Sequence, residues 1–159
     1  MKAHIAAGLM LAAVSVASCG GSKAVEIDPS NRPVPGRWNG TVASPPALAG
    51  VAAIRGSAWA GPDEKNPERT LASVTIENAV PGGKHPWHVH RGRCGTDQGI
   101  VGPADAYKPL EVKGNGRASE TVELSAATPP SGAFFVDVHA SAGNMATVIA
   151  CGNLAPPSR

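Results

Sequence analysis

Beyond residue 50, apolar and polar residues alternate in short runs, and no stretch repeats its apolar positions at helical spacing over a useful length. The runs are separated by clusters of Gly, Pro, Asn and Asp, the pattern of an antiparallel sandwich or barrel. They predict strands at 51–59, 70–79, 85–91, 117–124, 133–140 and 145–151, with a shorter first strand at 38–43. The 19 Gly and 15 Pro suit a chain of many turns. Residues 92–116 form a long connection, and a loop of that length inside a small domain is more often functional than incidental. No internal repeat interrupts the pattern.

The same period of two sorts the histidines. His88 and His90 stand two apart on a β-prone run, so their side chains share a face, while Trp87 and Val89 take the other. His85 has the parity of Trp87 and Val89, which predicts a buried, hydrogen-bonded structural histidine. In 133–140, Phe134, Val136 and Val138 read as the core face, leaving Phe135, Asp137 and His139 pointing outward. His88, His90 and His139 could meet only if their two strands are neighbours. Each alone is equally at home on a surface. Asp137 shares the face of His139, where it is either a weak oxygen ligand or partner to the imidazoles, or an exposed charge. Met145 could offer a soft sulfur, although packing is the commoner role.

The amino terminus adds chemistry of another kind. Lys2 precedes a short apolar run over residues 5–16, too short to span a bilayer, and Val16-Ala17-Ser18-Cys19 follows it. This resembles the lipobox of bacterial lipoproteins, in which Cys19 carries lipid; the alternative is an ordinary secretory signal with an incidental cysteine. Residues 1–18 are accordingly expected to be a signal, 19–49 a lipidated cysteine and Pro/Gly-rich tether, 50–154 the folded domain, and 155–159 a tail. Without Lys2 and the signal, 13 basic face 12 acidic side chains, a balance that argues against a nucleic-acid partner. Cys94 and Cys151 then remain as one pair in an exported chain, for which a disulfide is the default.

The segments "HPWHVHRGRC", "VGPADAYKP", "GNGRASETVEL", "FFVDVHAS" and "IACGNL" occur in that order, and together they resemble the copper/zinc superoxide dismutases over most of residues 51–154. The resemblance implies an all-β Greek-key sandwich or barrel of eight strands. It matches His88, His90 and His139 to copper ligands, which are also the catalytic residues, His85 to a structural histidine, and Cys94 with Cys151 to the family disulfide. The departures are equally specific. Ala104 stands in Gly102-Pro103-Ala104 where the family has the histidine that bridges copper and zinc. The zinc-binding residues that should come next are absent, so one copper and no zinc site in the family's sense is expected. The connection after His139 lacks the loop that roofs the metal, and Val148 stands in place of the family's substrate-guiding arginine.

Signal and resemblance together imply a copper-dependent envelope lipoprotein. It would disproportionate superoxide with reduced efficiency and draw protons from water, Asp105 or Asp137. It would be held by Cys19 to the outer membrane, facing the periplasm or the cell surface. A non-enzymatic copper scavenger on the same scaffold is the rival, with an inert interaction module as a third reading. Zinc in a three-histidine site is a chemical alternative to copper. No feature of the sequence marks an oligomeric surface.

Overall fold

The alternation read along the chain becomes an inside and an outside of one curled antiparallel sheet in the computed structural model, which describes residues 36–157. Ten strands are formed: β1 (Trp38–Ala43), β2 (Arg55–Pro62), β3 (Thr70–Glu77), β4 (Lys84–His85), β5 (Trp87–Arg93), β6 (Thr96–Ile100), β7 (Leu110–Glu111), β8 (Ala118–Leu124), β9 (Phe134–Ser141) and β10 (Asn144–Leu154). Two single 3-10 turns, Pro46–Leu48 and Ala104–Ala106, complete the regular structure, and there is no α-helix among the described residues. Eight strands make one sheet in the order β6-β5-β9-β10-β1-β2-β3-β8, while β4 and β7 pair in a separate two-stranded ribbon.

Strand β8 shows the pattern plainly: Ala118, Val122 and Leu124 are buried while Ser119, Thr121 and Glu123 are exposed. The inner faces of the other strands add Val42, Ala58, Ala72, Val74, Ile76, Trp87, Val89, Val136, Val138 and Ala150 to one continuous core. Trp87 spans that core, with its Nε1–H donated to the Lys108 carbonyl at 2.9 Å and its ring edge-on to Tyr107 at 5.1 Å. At Gly152 the backbone of β10 lies so close to β1 that a Cβ would collide with the Thr41 carbonyl oxygen.

Several sequence expectations are corrected. The strand expected at 51–59 begins at Arg55 because residues before it wind up: the Leu48 carbonyl accepts the N–H groups of both Val51 and Ala52 at 2.9 Å. The run 85–91 is divided at Pro86. His85 pairs with Leu110 in the ribbon, and β5 starts afresh at Trp87. The connection 92–116 is not structureless, since it holds β6, β7 and a 3-10 turn and buries Val101, Tyr107, Leu110 and Val112. Strand β1 lies inside the sheet between β10 and β2, so 38–43 belong to the domain rather than the tether, and Ala155 of the expected tail bridges Asn39. The all-β expectation holds, and the eight-stranded sheet curls as a half-barrel with β6 and β8 at its edges. The expected signal and Cys19 lie outside the described residues, and no helix among the described residues is long and apolar enough to cross a membrane.

Candidate metal centre

Strand order decides whether the histidines can meet. Strand β5 is hydrogen-bonded to β9, with His88 opposite Asp137 and His90 opposite Phe135. Asp137 faces Cys151 of β10 on its other side, and Cys151 faces Ala43 of β1. The row His88, Asp137, Cys151, Ala43 therefore crosses four strands on the face turned away from the Trp87 core. His90, Phe135 and His139 flank it on the same face, as alternate residues must.

The histidines stand on the outer face that parity assigns them, yet other parts of the chain cover that face. His88, His90, Asp137 and His139 are all between 4% and 7% exposed. Cover comes from parts distant in sequence: Ser44, Pro45 and Pro46 at the start of the first 3-10 turn, Cys94 and Gly95 at the β5–β6 turn, and Met145 and Val148 of β10. They wall a cleft of about 750 Å³ that reaches His90, Asp137 and His139. The Cys94–Cys151 disulfide, with Cα atoms 6.0 Å apart, clamps the β5–β6 turn onto β10. Asn153 reinforces the clamp by accepting the Cys94 N–H at 2.9 Å.

The donor atoms converge. Asp137 Oδ1 lies 3.1 Å from His90 Nε2 and 3.2 Å from His139 Nε2, and His139 Nε2 lies 3.4 Å from His88 Nδ1. One donor atom from each of the four residues falls within 4.8 Å of every other, so this buried His/Asp group could hold a metal ion. Parity leaves Asp137 open between ligand and exposed charge; in the structure the carboxylate is buried among the imidazoles.

Asp97, on β6, is a site residue that parity misses. Its Oδ1 accepts from His90 Nδ1 at 2.8 Å and from the Gly99 N–H at 2.7 Å, so the β5–β6 hairpin brings a carboxylate behind the imidazole. That hairpin depends on Gly92, whose φ of 105° and close approach to the Thr96 carbonyl suit glycine alone. The glycines on either side of Cys94 are the available signal for a tight turn there.

The tautomer is set by the partner. With its Nδ1–H given to Asp97, neutral His90 presents a bare lone pair at Nε2, which faces the Asp137 oxygen at 3.1 Å. Two acceptors at that distance repel unless a cation lies between them. Neither His90 Nε2 nor Asp137 Oδ1 makes a directed hydrogen bond, although both are buried. In the metal-free chain the carboxylate favours a proton on the imidazoles, which would relieve that repulsion. Burial opposes charge on His90, but Asp137 and Asp97 outweigh it and raise the imidazole. His139 is raised too, first by Asp137 and against burial. Burial also opposes charge on Asp137, yet the imidazoles of His139 and His90 hold its carboxyl down at about 2. His88, without a carboxylate hydrogen bond, is lowered by burial.

The other sequence-selected residues sit outside this group. His85 is half-buried rather than fully buried, and its Nδ1–H reaches the carbonyls of His139 at 3.2 Å and Ala140 at 2.9 Å, holding the backbone that carries His139. Asp105 is exposed on the second 3-10 turn and does not line the cleft; neither does Ala104. Tyr107 packs edge-on against His88 at 5.1 Å and donates to the Val101 carbonyl at 2.6 Å, supporting His88 from the core side. No protein-family model matches this chain, and no curated protein matches it.

Proposed function

We propose that this chain is a copper protein of the superoxide dismutase type, built on a Greek-key variant of that fold and consuming superoxide at the centre formed by His88, His90 and His139. The observation that carries the reading is the meeting of these imidazoles, buried, with His90 and His139 lining a cleft open to small molecules. The donor chemistry fits, since imidazole nitrogens suit copper in both of its common oxidation states. Copper bound there supplies one-electron exchange, through which two superoxide ions and two protons become dioxygen and hydrogen peroxide.

The chain's own residues do the rest. Asp97 fixes the His90 tautomer so that Nε2 is the free donor. His85 and Tyr107 hold His139 and His88 in place from beneath. Phe135, stacked on His90 with centroids 5.0 Å apart, and Val148 keep that side of the cleft apolar and limit water at the donors. With Ala104 in place of a bridging histidine and Asp105 away from the cleft, the carboxylates able to pass a proton inward are Asp97 and Asp137. The amino-terminal signal and Cys19 support an address on the outer membrane, in an oxidising compartment that suits the disulfide.

One observation favours the rival reading, a copper scavenger. Among the described residues neither Lys nor Arg lines the cleft, so they do not supply at its walls the attraction that draws an anion inward, worth about tenfold to a thousandfold in rate. Superoxide consumption by the copper-loaded chain separates the two. The expected rate constant is well below the diffusion ceiling of about 10⁹ per molar per second, and His139→Ala should lose copper and rate together. A chain that binds copper but leaves superoxide untouched is a carrier. One that retains only zinc after native purification is neither.

A further inference from the structure

A group of four donors holds more information than the three imidazoles alone. Taken in order, His90 Nε2, Asp137 Oδ1, His139 Nε2 and His88 Nδ1 are separated by 3.1, 3.2 and 3.4 Å. Donors about 2.0–2.2 Å from one ion stand roughly 2.9–3.5 Å from their neighbours around it, by simple geometry on those bond lengths. Asp137 Oδ1 thus keeps the spacing of a ligand to two imidazoles at once, and it is a middle member of the series rather than an outlier beside it.

Its close polar neighbours are the imidazoles themselves. The side chain is 5% exposed, and Oδ1 has no directed hydrogen bond. A carboxylate that merely orients a metal-binding histidine accepts the N–H on the ring nitrogen turned away from the metal, as Asp97 does for His90 at Nδ1. Asp137 does the reverse: it faces Nε2 of His90 and Nε2 of His139, the atoms turned toward the shared centre. The two carboxylates of the centre therefore have different assignments.

Resting on the reading of this cluster as a metal centre, we infer that Asp137 is itself the fourth ligand, making the site a three-histidine, one-carboxylate centre that favours divalent copper over the monovalent ion. A carboxylate is a hard, anionic donor. It neutralises half the charge of a divalent ion, whereas Cu(I) is satisfied by imidazoles and gains little from oxygen. The fourth position is thereby filled from β9, next to His139 on the same strand, rather than from the connection that carries Ala104.

The test compares the full-length chain with Asp137→Asn, titrated separately with Cu(II) and Cu(I) against competing chelators. The substitution should weaken Cu(II) by about tenfold or more and Cu(I) by less than about threefold, and should change the Cu(II) electron paramagnetic resonance spectrum. A second measurement needs no variant: infrared difference spectra of unsubstituted protein carrying ¹³C-labelled aspartate, with and without Cu(II), should show a labelled carboxylate band moving on binding. Equal Cu(II) affinity and an unchanged spectrum in the variant, or no labelled band shift, overturn the ligand assignment while leaving a three-histidine metal centre intact. Failure of the unsubstituted chain to bind one copper ion overturns both.

Discussion

His90 lies between two carboxylates that do opposite things, and its neighbourhood shows how much the alternation could and could not tell. The period of two put His88 with His90 and Asp137 with His139, because side chains two apart on a strand share a face. It could not say that the face is covered, since the cover comes from residues 44–46, 94–95, 145 and 148, whose approach depends on strand order. Asp97 carries no periodic signal either; only the hairpin turn brings it within 2.8 Å of His90. Asp97→Ala should free the His90 ring and lower copper affinity by about tenfold to a hundredfold, while a chelator-competition titration on His88→Ala serves as the reference for outright ligand loss. Acidity offers a second check at this scale. His90 and His139 are raised above 6.5, so their contribution to the stability of the metal-free chain is full below 6.5 and fades as pH rises through their folded values. His88, lowered by burial, works the other way. Asp137 is depressed from 3.8 to about 2, so its contribution is present above 3.8 and lost as pH falls through about 2. Thermal melts of the metal-free chain should therefore show a loss of stability between about pH 4 and pH 2 that Asp137→Asn removes. Copper affinity should fall throughout acidification, because protons and metal compete for the same nitrogens.

At the level of elements, the strands that the sequence revealed are those with one clean apolar face: β1, β3, β8, β9 and most of β10 fall close to their expected bounds. The hidden ones lack that face. Strand β6 is almost wholly exposed, and β4 and β7 are two residues each, so neither hydropathy nor length could mark them. Strand β6 is placed by its pairing with β5 and by the Cys94–Cys151 link across 57 residues, and β4 and β7 by their pairing with each other. Replacing both cysteines by serine should cost about 2–5 kcal/mol in a denaturant titration. Copper affinity should drop as well, because the β5–β6 turn that carries the cleft wall and positions Asp97 then loses its covalent tie to β10 and keeps the Asn153 hydrogen bond. Unchanged affinity at reduced stability would mean that the hairpin holds Asp97 without the clamp.

For the molecule as a whole, most of 20–49 has the composition of a tether, with a short strand expected at 38–43, and a polar, Pro-rich approach and an interior strand are not exclusive. Strand β1 has only Trp38 and Val42 fully buried, yet it joins β10 to β2 and completes the sheet. A truncated chain starting at Pro33 should keep the melting temperature and copper stoichiometry of the whole, whereas one starting at 50 should fail to fold, as circular dichroism would show.

The cleft wall has a consequence for wear. Its two cysteine sulfurs are already joined, and the remaining sulfur is the thioether of Met145, 39% exposed at the rim. If the centre disproportionates superoxide as proposed, peroxide released beside it would spare cystine but convert that thioether to a sulfoxide. On that reading, mass spectrometry after sustained turnover should find about 16 Da added at Met145, and no such addition where His139→Ala has silenced the centre, so that this side chain would become a chemical record of how long the protein has worked.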